Sequence, residues 1–357
     1  MEGMVIPGYW SEKKVLVTGH TGFKGSWLCH WLAQMGADVV GYALAPTTAS
    51  SMFDTITLSD RVESIIADIN DQEALEQSIL RVKPDVIFHL AAQALIRVSY
   101  GNPIETFETN VMGTANLLQA LCSLEHHCDV VIVTSDKCYL NIEQRHHYEE
   151  SDPLGGSDPY SASKACAEIV TSSFRNSYFS ASGPHPNIHV ASARAGNVIG
   201  GGDWAQDRLI PDAIKAWLAN DVIKVRNPQS VRPWQHVLEP LSGYLLLAQK
   251  MREQPSLCRA WNFGPEKDEV ITVAELLELA RKVWPDLRCE IAPDAGPHEA
   301  GLLMLDPGAV RQAFGWQSKW SAKEAVQQTF SWYDAWHQGD DMMAFTSSQI
   351  SHYVENP

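Results

Sequence analysis

"KKVLVTGHTGFKGSWLCHWLAQMG", residues 13–36, decides the fold. Its first seven residues form a short apolar strand, and "FKGSWLCHWLAQMG" is a helix that Gly36 closes. Between them lies "TGHTGFKG", with Gly19, Gly22 and Gly25 three residues apart. Glycines at this spacing permit a tight turn, close backbone approach to a pyrophosphate and close helix packing, and the helix start adds free N–H groups and a positive dipole. The loop is therefore expected to bind a dinucleotide through Gly19, His20, Thr21, Gly22, Phe23, Lys24 and Gly25. His20 and Lys24 add polar bulk near the expected phosphates.

The same alternation continues outward. "ADVVGYAL" and "VESIIAD" read as strands, "DQEALEQSILRVK" as a helix and "PDVIFHLAA" as a fourth strand. A long helix, "IETFETNVMGTANLLQALCSL", leads to the strand "DVVIVTS", then to the helix "YSASKACAEIVTSSFRNSYF" and a sixth strand, "IHVASARAGNVIG". This order implies an α/β fold, a Rossmann-type doubly wound parallel sheet with helices on both faces. After Gly202 the rhythm breaks into short strands and helices. Two of these helices are expected to open with capping boxes, Thr272/Glu275 and Ser321/Glu324. The expected division is a dinucleotide-binding domain over 1–200 and a smaller mixed α/β substrate-binding region over 201–357, with about 232–265 returning to the first. "APDAGPHEAG" (292–301) reads as a loop.

Composition narrows the classes. The chain of 357 residues, 45 % hydrophobic and 20 % charged, has the balance of an ordinary globular protein. A net charge of −16 argues against a general nucleic-acid or anionic-membrane binder, although a few convergent arginines can still make a local anion site. The seven cysteines are scattered without CxxC spacing, which fits reduced thiols better than a disulfide frame or a metal site. The first residues lack the pattern of a signal peptide, and no run reaches membrane-spanning length. A cytoplasmic protein is expected.

Two further stretches carry chemistry. "YSASK" sets Tyr160 and Lys164 four apart at a helix start, on one face. A nearby ammonium and a positive cofactor ring would favour the phenolate and make Tyr160 a usable base. "VIVTSDKCYL" (131–140) runs a buried strand into Ser135, Asp136 and Lys137, an acid beside a base where open α/β sheets place their chemistry. The second strand ends "GYALAP" without the acid that usually binds a ribose 2′-hydroxyl and without an arginine for a 2′-phosphate. NAD is expected over NADP, with modest discrimination. Asp68, with Ile69 beside it, is a candidate acceptor for the adenine amine.

Glycine loop, "HLAAQ" (89–93), "TNVMGTANLL" (109–118), "DPYSASKA" (158–165) and "RAGNVIGGGDW" (194–204) together resemble, in order and spacing, the extended short-chain dehydrogenase/reductases that act on nucleotide sugars. The resemblance covers essentially the whole chain. It implies that Leu90, Ala91 and Ala92 join the cofactor contacts and that Gln93 reaches the substrate. It makes Ser135 the partner of the substrate hydroxyl. Simple epimerases of this group need nothing more, whereas the 4,6-dehydratases carry an extra acid and base immediately afterwards. The dTDP-glucose enzymes have Thr-Asp-Glu there. Ser135-Asp136-Lys137, with "GHTGFKGSWL" and "RPWQHVLEPLSGYL" (232–245), is similar to the CDP-glucose 4,6-dehydratases.

That family implies bound NAD, proton removal at C4 by Tyr160 with Ser135 and Lys164, Lys137 as the C5 base and Asp136 as the acid for the departing C6 hydroxyl. Asn197, Arg208, Arg232, His298 and Glu299 are its implied contacts to the nucleotide sugar, with Arg194 and Arg97 as further candidates. The two long helices resemble the pair through which the family assembles, so a homodimer or homotetramer is expected. The rival readings are a dTDP- or GDP-sugar dehydratase, a nucleotide-sugar 4-epimerase, and a non-catalytic NAD-binding regulator. An intact Ser135/Tyr160/Lys164 set argues against the last.

Overall fold

Apolar, β-branched runs such as those of the inner strands mark strands covered on both faces, and seven strands form the central sheet. In the computed structural model, which describes residues 3–48, 50–225, 227–266, 271–292 and 302–355, they are β1 (Lys14–Thr18), β2 (Asp38–Ala43), β3 (Glu63–Ile66), β4 (Val86–His89), β5 (Cys128–Val133), β6 (Ile188–Ala195) and β7 (Ala260–Phe263). The spatial order is β7-β6-β5-β4-β1-β2-β3, and every pairing is parallel. Val15 of β1 sits opposite Val39 of β2 and Val86 of β4, so the order reverses at β1. Alternate side chains of β5 enter different cores: Val131 and Val133 pack with Trp27 and Leu241, and Val130 and Ile132 with Leu117 and Ile79.

The flanking helices are α1 (Phe23–Gln34), α2 (Gln72–Val82), α3 (Gly113–Leu121), α4 (Pro159–Ser177), α5 (Leu209–Leu218), α6 (Leu238–Met251), α7 (Val273–Val283), α8 (Ala322–Gln338) and α9 (Met342–Glu355). The long helix expected over 104–124 runs without a gap over 103–121, as a short α-helical part, Pro103–Phe107, a π-helical turn, Glu108–Met112, and α3. Such turns re-aim side chains. Here Asn110 bonds the Gln93 backbone in both directions, at 2.8 and 3.0 Å, and donates to Ser163 Oγ at 2.8 Å. The loop after β4 is thereby tied to α4. Thr272 and Glu275 form the full capping box of α7, but at α8 only the Ser321 half is made.

The sixth strand is shorter than its sequence suggests. It stops at Ala195, and Val198–Ile199 pairs instead with Gln235–His236. Gly196 allows the crossing, because a Cβ there would lie 2.3 Å from the Pro233 ring and 3.2 Å from Asp136 Oδ2. The segment carrying Arg232 is therefore laid across the end of β5. Beyond it, Ile223–Val225 pairs with Cys289–Ile291, and Val231–Arg232 with Ile271–Thr272. No helix among the described residues is long and apolar enough to cross a membrane.

Candidate active site

The carboxyl ends of the strands open on a cavity of about 880 Å³, at the reversal of strand order where such sheets bind ligands. Its floor is the glycine loop. Gly19 has φ +76°, and a Cβ there would lie 2.7 Å from Ala91 N. A Cβ on Gly25 would lie 2.1 Å from Gly19 O. Gly22 caps α1 with no side-chain hydrogen bond, so the first N–H groups of that helix remain available to an anion. Thr21, Phe23, Lys24, Asp68, Ile69, Leu90, Ala91 and Ala92 line the same cavity. These features fit a pyrophosphate-bridged dinucleotide.

His20 requires a correction. Its side chain is fully buried away from the cavity, packed on Gly41, with Nε2 2.7 Å from Ser64 Oγ. Burial pushes its pKa down to about 4, which keeps the ring neutral. Only its backbone is placed for a cofactor. Lys24 points the other way, donating to the Tyr244 hydroxyl at 3.2 Å. Burial, with Lys164 and Arg208 adding repulsion, pushes its pKa down to about 7.

Ser135, Asp136, Lys137, Tyr160 and Lys164 all line this cavity. Asp158 caps α4 by accepting from Ser161 N at 2.9 Å, and Pro159 begins the helix, so Tyr160 and Lys164 are fixed on its first turns. A short 3₁₀ turn, Asp136–Cys138, follows β5. Ser135 Oγ accepts from Lys137 N at 3.2 Å and donates to Asp136 Oδ1 at 2.9 Å. Asp136 Oδ2 is buried without a hydrogen-bond partner. Burial holds the Asp136 carboxyl above its ordinary range, against the pull of Lys137, Ser135 and Arg232.

The expected lowering of the Tyr160 phenol is not what the protein alone provides. Burial drives it up to about 12, opposed by the Ser135 hydrogen bond and the Arg208 charge. Lys164 is pushed down to about 8 by burial, with Glu168 opposing.

Beneath the site lies a network that the sequence did not reveal. Glu168, one turn beyond Lys164, accepts from Thr134 Oγ1 at 2.5 Å, Ser192 Oγ at 2.7 Å and Arg194 Nη2 at 2.8 Å. Arg194 also donates to the Tyr139 hydroxyl at 2.8 Å. Arg194 is thus a buried ion-pair partner rather than a phosphate contact. Burial raises the Glu168 carboxyl, but Arg194 and the two hydroxyls outweigh it and hold it below its usual range. Glu168→Gln would strand a buried guanidinium, and thermal denaturation is expected to register a loss of about 3–5 kcal/mol. An unchanged melting curve would contradict this account of the clamp between β5 and α4.

At the substrate end, Asn197, Arg97, Arg208 and Arg232 line the cavity. Arg208 pairs with Asp203 at 3.0 Å, and Arg232, largely buried, donates to Val231 O at 3.0 Å. Gln93 lines the cavity, but its amide is engaged by Thr106 Oγ1 at 2.9 Å and Leu95 N at 2.6 Å. Its side chain therefore shapes the loop. His298 and Glu299 lie outside the described residues. Sequence reasoning also missed Trp204 and Trp234, whose buried indole N–H groups have no hydrogen-bond partner and which line this cavity.

Comparison with known proteins agrees with this arrangement. Residues 16–329 match the GDP-mannose 4,6 dehydratase family. A CDP-glucose 4,6-dehydratase of Salmonella typhimurium is 47 % identical over 98 % of this chain and 99 % of its own. A CDP-paratose 2-epimerase of Salmonella typhi is 24 % identical over 88 % of this chain and 97 % of its own. The crystal structure of a dTDP-glucose 4,6-dehydratase from Bacillus anthracis, in complex with NAD, superposes with a TM-score of 0.76 at 21 % identity, covering 92 % of this chain and 99 % of that one. With a match over most of its length and a near-half-identical relative, the chain belongs to the GDP-mannose 4,6 dehydratase family.

Proposed function

We propose that this chain converts CDP-D-glucose to CDP-4-keto-6-deoxy-D-glucose with bound NAD. The observation that carries the reading is the Asp136-Lys137 pair, set beside Ser135, Tyr160 and Lys164 in one cavity. A 4-epimerase has no use for the added acid and base. The 47 % relative supports the CDP-glucose assignment over a dTDP or GDP sugar.

NAD supplies hydride acceptance at C4 and hydride return at C6. The glycine loop and the start of α1 would hold the pyrophosphate, and Asp68 and Ile69 would contact the adenine end. Tyr160 takes the C4 hydroxyl proton while Ser135 holds that oxygen. Lys164 supplies positive charge that, with the cofactor's, offsets the burial that raises the phenol. The resulting ketone acidifies the C5 hydrogen, which Lys137 removes as the base. Asp136, whose burial favours the protonated form, gives its proton to the departing C6 hydroxyl, so water leaves. As hydride returns to C6, Lys137 gives a solvent-exchanged proton back to C5, and the proton gained by Tyr160 balances, through solvent, the one lost by Asp136 before the next turn. Incubating the protein with NAD+ and CDP-, dTDP-, UDP- and GDP-glucose tests the base preference. Keto product from CDP-glucose first supports it, and a faster rate with another base overturns it.

The cofactor choice rests on the segment after β2, Leu44 to Thr48, which offers neither cation nor acid. NAD+ is expected to bind more tightly than NADP+ by a modest factor, and a titration with the order reversed would contradict this. Arg232→Ala is expected to weaken nucleotide-sugar binding by about 1.5–3 kcal/mol, roughly 10- to 150-fold, and to leave NAD+ binding unchanged. Calorimetric titrations with each ligand separate the two.

Assembly is read from apolar side chains left in solvent: Ile104 is 69 % exposed, Met112 53 % and Ile169 57 %, on the Pro103–Phe107 helix, the π-helical turn and α4. This face suits at least a homodimer, and a monomeric mass in sedimentation equilibrium would refute it. The seven cysteines are free, which suits a cytoplasmic setting.

A further inference from the structure

At the opposite end of the sheet, a second group of titratable side chains takes no part in this chemistry. Asp129 of β5 is paired in register with His189 of β6, so both side chains leave the sheet on one face. His127 precedes Asp129 by two residues and shares that face. We propose that His127, Asp129 and His189 form a site for one divalent transition-metal ion of the zinc type.

The geometry is close to that of a bound state. The three ligand atoms lie within 4.8 Å of one another. His127 Nε2 and His189 Nδ1 stand 3.0 and 3.2 Å from the same oxygen, Asp129 Oδ1. Ligands at the usual Zn–N and Zn–O lengths of about 2.1 Å, arranged tetrahedrally, are themselves separated by roughly 3.4 Å. Two of the three sit on neighbouring sheet strands, so little ordering remains for binding to impose. The imidazole rings stand nearly perpendicular, at 87°, rather than stacked.

A second observation points to a cation. Asp129 is fully buried, and its Oδ2 has no hydrogen-bond partner; Arg252 approaches only to 4.0 Å. The Tyr9 hydroxyl nearby is also buried without a partner, and burial, then the Asp129 charge, push its pKa up. Lys13 lies 3.9 Å from Asp85. A desolvated carboxylate with an unbonded oxygen is an arrangement that a dication relieves. The histidine side chains are 23 % and 13 % exposed, leaving a way in and a fourth position for water. The competing description is a pair of imidazoles that donate N–H bonds to Asp129. Asp129 and Ser135 are six residues apart along an extended strand, roughly 20 Å. The ion would pin the amino ends of β5 and β6 and stay out of the reaction. Cysteine and histidine spacing gives no sign of the site, because its ligands come from two strands.

The test uses the full-length, untagged chain, stripped with chelator. Zn2+ is expected to bind with one equivalent per chain at micromolar or lower concentration and to raise the melting temperature. Co2+ is expected to show the visible absorption of a low-coordinate site. His127→Gln and His189→Gln each keep a donor for Asp129 but remove a metal ligand. Both are expected to weaken binding by more than the roughly tenfold that loss of an outer-shell partner costs, with CDP-glucose turnover unchanged. No saturable binding in the wild-type chain, or equal binding and equal stabilisation in both variants, would overturn the proposal.

Discussion

Tyr160→Phe is expected to stop the proposed reaction at its first step, with turnover reduced by about 10²- to 10⁴-fold. Tyr160 is buried on the first turn of α4, in the cavity with Ser135 and Lys164. The titratable pair on the neighbouring turn, Asp136 and Lys137, serves the later elimination in this scheme, and burial holds the Asp136 carboxyl above its ordinary range. Phenylalanine preserves the ring and its packing, so the fold should survive. Without a base at C4, mixing the variant with substrate and NAD+ should give no absorbance of reduced cofactor and no ketone. A reduced-cofactor burst at the wild-type rate would remove Tyr160 from the proposed role.

Lys137→Met should fail one step later. The C4 oxidation needs Tyr160, Ser135 and Lys164, none of which is altered, so reduced cofactor should form in a burst and then persist or revert. Proton removal at C5 should slow by a comparable 10²- to 10⁴-fold. Asp136→Asn should also pass the first step, since its amide can hold the turn after β5 but cannot supply the proton for the leaving hydroxyl. The two variants differ in exchange: the asparagine variant retains the C5 base and should wash solvent deuterium into C5, whereas the methionine variant should not. Wash-in at the wild-type rate in Lys137→Met would reduce Lys137 to orienting Asp136.

What the sequence shows follows from how local each signal is. The glycine loop, the strand runs and the Tyr160/Lys164 spacing all declare themselves within one element, because a turn, a pleat or a helical face sets their period. The parts that stayed hidden are long-range. Arg194 looks like a phosphate contact until α4 brings Glu168 to it across 26 positions of sequence. His20 looks like a loop residue facing a phosphate until the turn at Gly19 sends its ring onto Gly41 of the neighbouring strand. Gln93 looks free until the π-helical turn and the 103–107 helix claim its backbone and amide. The phenol of Tyr160 illustrates the same limit in energy: its neighbours are legible, but the burial that outweighs them belongs to the folded cavity.

The central claim is that Asp136 and Lys137 turn an oxidising site into one that eliminates water. The most direct measurement is the product formed from CDP-glucose and NAD+ in deuterated water, read by nuclear magnetic resonance and mass spectrometry. The account predicts a 4-keto-6-deoxy sugar carrying solvent deuterium at C5, with no net change in the cofactor. A product epimerised at C4, with its C6 hydroxyl retained and no deuterium at C5, would contradict it.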